Sequence, residues 1–237
     1  MQPNRILSHD DWIAARKELL VKEKEFTRQR DALTKLRREL PWEKVDQDYR
    51  FDGPSGAVSL SDLFDGRSQL IIYHFMYGPD WDVGCKSCSY LADHFNPAIV
   101  HLNQRDVTMV AVSRAPLPVL DAFKKRMGWD FPWLSSGNSS FNHDFQASFT
   151  VEEIDRGEAY YNYREGGFSG PEAPGASVFF KATDGTIYHT YSVYSRGLDM
   201  FITAYHYLDI TPRGRDEAGL SYTMEWLRHH DDYGEAG

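Results

Sequence analysis

From residue 8 to residue 40 the apolar positions recur with a helical period. Trp12, Leu19, Phe26, Leu33 and Leu40 stand seven apart, with Ile13, Leu20 and Leu36 alongside, and most positions between them are charged. The pattern predicts one long amphipathic helix. Ser8, with Asp11 three residues on, is a start signal, and neither Gly nor Pro interrupts the run before Pro41. At about 1.5 Å per residue the helix would be about 50 Å long, more than a small domain is wide. The stripe lacks most of the second apolar position of a heptad, which disfavours a free-standing coiled coil. Two partners remain for it: the helix's own domain, or a second copy of the chain in a homodimer formed through this helix.

Beyond Pro41 the helical period gives way to short apolar runs. Residues 49–53 and 56–60 flank a Gly/Pro turn and predict a β-hairpin, and residues 60–66 a helical turn stopped by Gly66. Residues 69–76 are apolar with little alternation, as expected of a strand covered on both faces. A helix is expected from the cysteines to about residue 101, kinked or broken by Pro97. Residues 107–113 read as a second buried strand. Residues 117–127 read as an amphipathic helix between Pro116 and Gly128. A short strand follows at 131–135, which Pro132 pushes toward a sheet edge or end. A short helix over 141–149, a strand over 159–163 and a loop over 166–175 are expected next. Residues 177–181 and 186–191 flank Thr183-Asp184-Gly185, a hairpin with turn chemistry. A helix over 198–208 closes the order, and the tail is expected to wrap the surface through Tyr222, Trp226 and Tyr233.

This order predicts an α/β fold: a mixed central sheet with helices on both faces, in the thioredoxin-like arrangement. The reading divides the chain into a helical extension over 1–44, a thioredoxin-like domain over 45–210 and a C-terminal extension over 211–237. Composition narrows the function. The 237 residues carry 26 Lys and Arg against 35 Asp and Glu, a formal charge of −9, which argues against nucleic acid as a partner. No apolar run is long enough to span a membrane. Met1-Gln2-Pro3-Asn4-Arg5 has no signal-peptide character, so the expected location is cytoplasmic. Two cysteines in a reducing compartment are not a disulfide scaffold.

Those two residues, Cys85 and Cys88, form a C-x-x-C between an apolar strand and a helix-compatible run. Strand, loop, C-x-x-C and helix is the arrangement in which a dithiol does redox work. At the start of a helix Cys85 would meet unpaired backbone N–H groups, which favour thiolate, and Lys86 adds a positive charge. Asp80 and Asp82 oppose it. Cys85 is therefore the expected nucleophile and Cys88, one turn deeper, the resolving thiol. Trp81 would either form an apolar platform beside the sulfur or pack the loop. Zinc would need four ligands, and His143, His189, His229 and His230 could join the cysteines only through long-range folding. A soft ion such as copper(I) needs fewer. His74 reads as a hydrogen-bonded core residue, and Tyr160, Tyr161 and Tyr163 as strand packing. No cofactor is implied, and the expected substrate is a protein or small-molecule disulfide.

Several motifs together carry a resemblance. They are Asp10-Asp11-Trp12, Phe51-Asp52-Gly53-Pro54, Asp65-Gly66-Arg67-Ser68, Tyr73-His74-Phe75-Met76, Gly78-Pro79-Asp80-Trp81 with Gly84-Cys85 and Cys88, Val112-Ser113-Arg114-Ala115-Pro116, and Arg228-His229-His230-Asp231. Over nearly the whole chain they resemble a bacterial family known as domain of unknown function 899. The resemblance implies a thioredoxin-like fold and dithiol–disulfide oxidoreductase chemistry. A looser similarity reaches the peroxiredoxins, through 58–63 and Asp184-Gly185-Thr186-Ile187, and makes a thiol peroxidase the alternative. That pattern, counted from Pro79, would place Cys at Lys86 and Thr or Ser between Pro79 and Cys85, where neither stands. The Arg it expects before the late strand is replaced by Gly175-Ala176. Thioredoxin's cis-proline just before that strand has Pro174 as its nearest counterpart, three residues ahead of Ser177.

Overall fold

The computed structural model describes residues 4–166 and 168–234. Met1, Gln2 and Pro3, which the N-terminal expectation included, lie outside the described residues, as do Gly167 of the expected loop and residues 235–237. The chain separates into two compact units at Pro41 and Trp42. The first is built on helix α1 (His9–Arg38). Ser8 caps it in an extended conformation, its hydroxyl accepting from the Asp11 N–H at 3.2 Å. Asp10 and Asp11 in the first turn, and Lys35, Arg37 and Arg38 in the last, complement the helix dipole.

The second unit opens with strands β1 (Glu43–Lys44), β2 (Arg50–Gly53), β3 (Gly56–Ser59) and β4 (Gln69–His74). Helices α2 (Lys86–Ala92) and α3 (Phe95–Asn103) lead to β5 (Val107–Ser113), and α4 (Leu117–Arg126) to β6 (Trp133–Ser135). Then come α5 (Phe141–Asp144), α6 (Val151–Arg156), the hairpin β7 (Gly175–Lys181) and β8 (Ile187–Tyr194), and α7 (Thr203–Leu208). The strands form one mixed sheet in the order β1-β8-β7-β4-β5-β6-β2-β3. β4, β5 and β6 are parallel, and β7 runs antiparallel to β4. This is the mixed, thioredoxin-like sheet the sequence order implied.

Strand periodicity splits the core in two. Leu70 and Ile72 of β4, with Val110 and Val112 of β5, meet Phe51, Phe64, Phe141 and Phe179 on one face. Tyr73 of β4 and Met109 and Ala111 of β5 point the other way, onto Leu91, Phe95, Leu120 and Phe123 of the crossing helices. Both faces are covered, hence the weak alternation. Gly175 lets β7 and β8 close up, since a Cβ there would lie 2.7 Å from the Tyr194 ring.

Local chemistry accounts for the departures from the expected elements. The helix after the cysteines breaks at Asp93 and His94, where the Pro97 ring would strike the carbonyl four residues back. Residues 159–163 are no strand. Asn162 and Tyr163 both take left-handed backbone angles (φ 53° and 62°), which turns the chain and leaves only a Tyr161–Arg164 bridge. The closing helix divides into a 3-10 segment, Ser195–Phe201, and α7, with Ile202 in a non-helical conformation between them. Pro132 does not push β6 to a sheet edge. The strand starts just after it and lies between β5 and β2, with the Pro132 carbonyl accepting from Ala111 N–H. β1 and α6 are additions to the expected order. The tail is no simple wrapping, because Leu227 is wholly buried. Ile72→Ala, which empties a fully buried β4 site, is expected to cost about 2–5 kcal/mol of stability, read as a lower urea midpoint at unchanged slope.

Candidate active site

The cysteines lie where the chain leaves β4. The sheet continues briefly beyond that strand, with Phe75 N–H donating to Val112 O at 2.9 Å and Ala115 N–H to Tyr77 O at 2.8 Å. Ser113 Oγ donates to Phe75 O at 2.7 Å. The loop then doubles back. Tyr77 Oη donates to Asp82 O at 3.2 Å, and Cys85 N–H to Met76 O at 3.1 Å. Cys85 is thereby pinned beside the strand end and precedes the first residue of α2. Its carbonyl accepts from Ser89 N–H at 2.9 Å and from Ser89 Oγ at 3.0 Å. Cys88, one turn on, is buried, and Met76 N–H donates to its sulfur at 3.4 Å.

The two free thiols are unequal. The Cys88 thiol and the backbone N–H groups of Cys88 and Ser87 at the start of α2 favour a thiolate at Cys85. Together with the positive charge of His229 when it is protonated, they outweigh burial and pull the Cys85 pKa down to about 6. Burial, reinforced by the neighbouring Cys85 thiolate, pushes Cys88 well above the ordinary thiol range. The balance thus favours thiolate at Cys85 and thiol at Cys88.

His229 is the residue that reading the sequence did not place here, naming it only as a remote metal ligand. It is 8% exposed, donates from Nε2 to Gly84 O at 2.9 Å, and faces Asp232 through Nδ1 at 3.2 Å. No local periodicity signals this approach. The only hint is the Arg228-His229-His230-Asp231 motif. Lys86 sends its Nζ to Glu225 O at 3.3 Å, so it holds the C-terminal segment. Trp81 packs over Gly78, where a Cβ would lie 2.8 Å from the indole nitrogen. Pro174 immediately precedes β7, because the strand starts two residues earlier than expected. It is trans, and its carbonyl accepts from Tyr161 Oη at 2.8 Å. A cavity of about 190 Å³ opens beside Cys88, walled by Tyr73, Met76, Leu91, Leu198, Ile202 and Met224. The buried Tyr73 hydroxyl adjoins the Cys88 sulfur without the geometry of a full hydrogen bond.

His74 is a core residue on the opposite face of the sheet. Its Nε2 lies 2.9 Å from Ser177 Oγ, and burial lowers its pKa to about 3. Ser177 bonds Ser192 at 2.9 Å, and Ser192 bonds His189 at 2.7 Å. Among the described residues no three His, Cys, Asp or Glu side chains gather as a metal site. No helix of the described residues is long and apolar enough to cross a membrane.

A parallel strand, a returning loop and a helix that opens on a C-x-x-C pair give this chain a thioredoxin-like fold with two neighbouring cysteines at the strand end. The chain belongs to the bacterial family of unknown function DUF899, which matches residues 1–233 and is the family the sequence motifs resemble. No curated protein matches it. Among solved structures it is similar to the peroxidoxin BcpB of Mycobacterium tuberculosis, with 15% identity, TM-score 0.46, and 69% of this chain and 94% of that chain covered. It is also similar to peroxiredoxin Q from Xanthomonas campestris, with 14% identity, TM-score 0.47, and coverage of 70% and 95%. A third is a putative thiol:disulfide interchange protein DsbE of Chlorobium tepidum, with 14% identity, TM-score 0.41, and coverage of 70% and 97%.

The folded chain binds the Cys85 proton less tightly than the unfolded chain does. The thiolate therefore favours folding above the unfolded thiol's pKa, and that contribution disappears as pH falls through about 6. Alkylation of the reduced protein by iodoacetamide is expected to accelerate with a midpoint of about pH 6 and to label Cys85 first. A midpoint of about 8.5, the ordinary thiol value, would contradict the arrangement.

Proposed function

We propose that the protein is a thiol–disulfide oxidoreductase whose substrate is a protein or small-molecule disulfide. The observation that carries the reading is the division of labour between the sulfurs, one half-exposed and held as thiolate, the other buried and protonated. The Cys85 thiolate attacks one sulfur of the substrate disulfide, forming a mixed disulfide and expelling the other sulfur as a thiolate. Cys88 then loses its proton and attacks the Cys85 sulfur. The second substrate thiolate leaves, and the released proton is taken up by a departing thiolate. Two electrons pass from the dithiol to the substrate, and a Cys85–Cys88 disulfide remains.

A metal-carrier reading has less support. His229 directs Nε2 to Gly84 and Nδ1 to Asp232, so the histidine nearest the thiols has no nitrogen free for a soft ion. The reading suits a reducing compartment, the cytoplasm, where thiols stay reduced. Cys88→Ser removes the resolving thiol. Incubated with an oxidised substrate or a small disulfide, this variant is expected to accumulate a mixed disulfide on Cys85, seen by intact mass. Cys85→Ser should accumulate none. Equal labelling of the two variants would defeat the assignment of roles.

A further inference from the structure

The peptide linking Gly84 to Cys85 is held from both sides. Its N–H, that of Cys85, donates to Met76 O at 3.1 Å, a contact made by the strand's own exit. Its carbonyl, that of Gly84, accepts from His229 Nε2 at 2.9 Å. The surroundings are aromatic. A Cβ on Gly84 would meet the rings of Phe75, Phe123 and Tyr77 at 2.9, 3.0 and 3.2 Å, and the His229 ring stands edge-on to Phe123. A carbonyl in such a setting needs its donor.

His229 lies 145 positions further along the chain, and the segment that bears it is anchored at several points. Glu217 Oε1 accepts from Tyr205 Oη at 2.6 Å and from the N–H of Met224 and the indole of Trp226, each at 2.9 Å. Trp226 packs edge-on against Tyr90 of α2. Leu227 is fully buried, and Lys86 of α2 donates to Glu225 O. His230 Nδ1 lies 2.7 Å from an Asp93 oxygen that also takes the Trp129 indole N–H at 2.8 Å. Arg126 of α4 grips Asp231 through two bonds, at 2.7 and 2.9 Å, and reaches Asp232 at 3.1 Å. Asp232 in turn faces Nδ1 of His229 and so directs Nε2 toward Gly84.

We propose that His229 is a positioning residue for the Cys85 nucleophile, and that the C-terminal segment 217–233 is a working part of the active site that delivers it. The proposal rests on the reading of Cys85 as the attacking thiolate. His229 acts in two ways. It fixes the plane of the peptide that aims Cys85, and the charge it carries when protonated favours the thiolate. The charged and titratable groups facing Cys85 are Cys88, Tyr73 and His229, with Lys86 committed to the Glu225 carbonyl. Those facing His229 are Asp232 and, behind it, Arg126 and Asp231.

The test is the pH profile of Cys85 alkylation in the reduced, full-length protein, with circular dichroism and the melting temperature followed for each variant. His229→Leu removes both N–H and charge. It is expected to raise the midpoint by about one unit and to slow alkylation near the wild-type midpoint about tenfold. His229→Gln keeps a donor and loses the charge, and should fall between the two. Arg126→Ala loosens the segment without touching the ring or either thiol, and should move the midpoint in the same direction. If His229→Leu fails to fold, His229→Gln and Arg126→Ala decide. Wild-type midpoints in folded His229 variants would overturn the proposal and leave the dithiol reading standing. An ordinary midpoint in the wild-type protein would instead remove the dithiol reading itself.

Discussion

The inequality of two neighbouring sulfurs, Cys85 just before α2 and Cys88 one turn deeper, sets the character of the site. Burial holds the proton on Cys88, while the backbone N–H groups at the start of α2 favour the anion at Cys85. The inequality depends on depth, since Cys88 must be dry and Cys85 must keep an edge to solvent. The scaffold arranges this by returning the loop to the end of β4 before α2 starts. The first of the two sulfurs then stands at the rim, and the second, one turn later, faces the core built on Tyr73, Leu91 and Phe95.

The two faces of the sheet treat their polar groups differently. On the far face His74, Ser177, Ser192 and His189 bond one to the next across β4, β7 and β8. Burial keeps His74 neutral over the physiological range, so this chain of bonds ties strands together without adding charge. Buried polar atoms without a hydrogen-bond partner occur on both faces, His74 Nδ1 on the far one and the Tyr73 hydroxyl beside the reactive pair. The Tyr73 hydroxyl has the Cys88 sulfur for a neighbour and a cavity in front of it.

Much of this is legible in the sequence because it is local. β4, β5, α4 and the β7–β8 hairpin each carry their own periodicity and stop signals, and the C-x-x-C marks its own site. α6 is legible too, although the expected order omits it. Thr150 and Glu153 form the reciprocal cap that the spacing of those residue types signals. The expected strand at 159–163 fails because propensity cannot reveal that Asn162 and Tyr163 take left-handed angles. Tyr161 is instead drawn inward, to bond Pro174 and Ser195. β1 has two exposed residues and exists only through its pairing with β8. His229 is the extreme case, because the carbonyl it donates to lies 145 positions away in the sequence.

The contact between His229 and Gly84 closes a loop of 145 positions. A ribosome builds the chain from its N-terminus, so Cys85 and Cys88 are made long before the residue that clamps the peptide beside them. The β4 strand, the returning loop and α2 can all take shape while His229 is still to be added. A nascent chain therefore carries its two cysteines without the donor to the Gly84 carbonyl for much of its synthesis, and that contact forms only when the segment bearing His229 docks. A chain cut before residue 229 lacks the group that donates to the Gly84 carbonyl, and one cut before the whole segment also lacks the wholly buried Leu227.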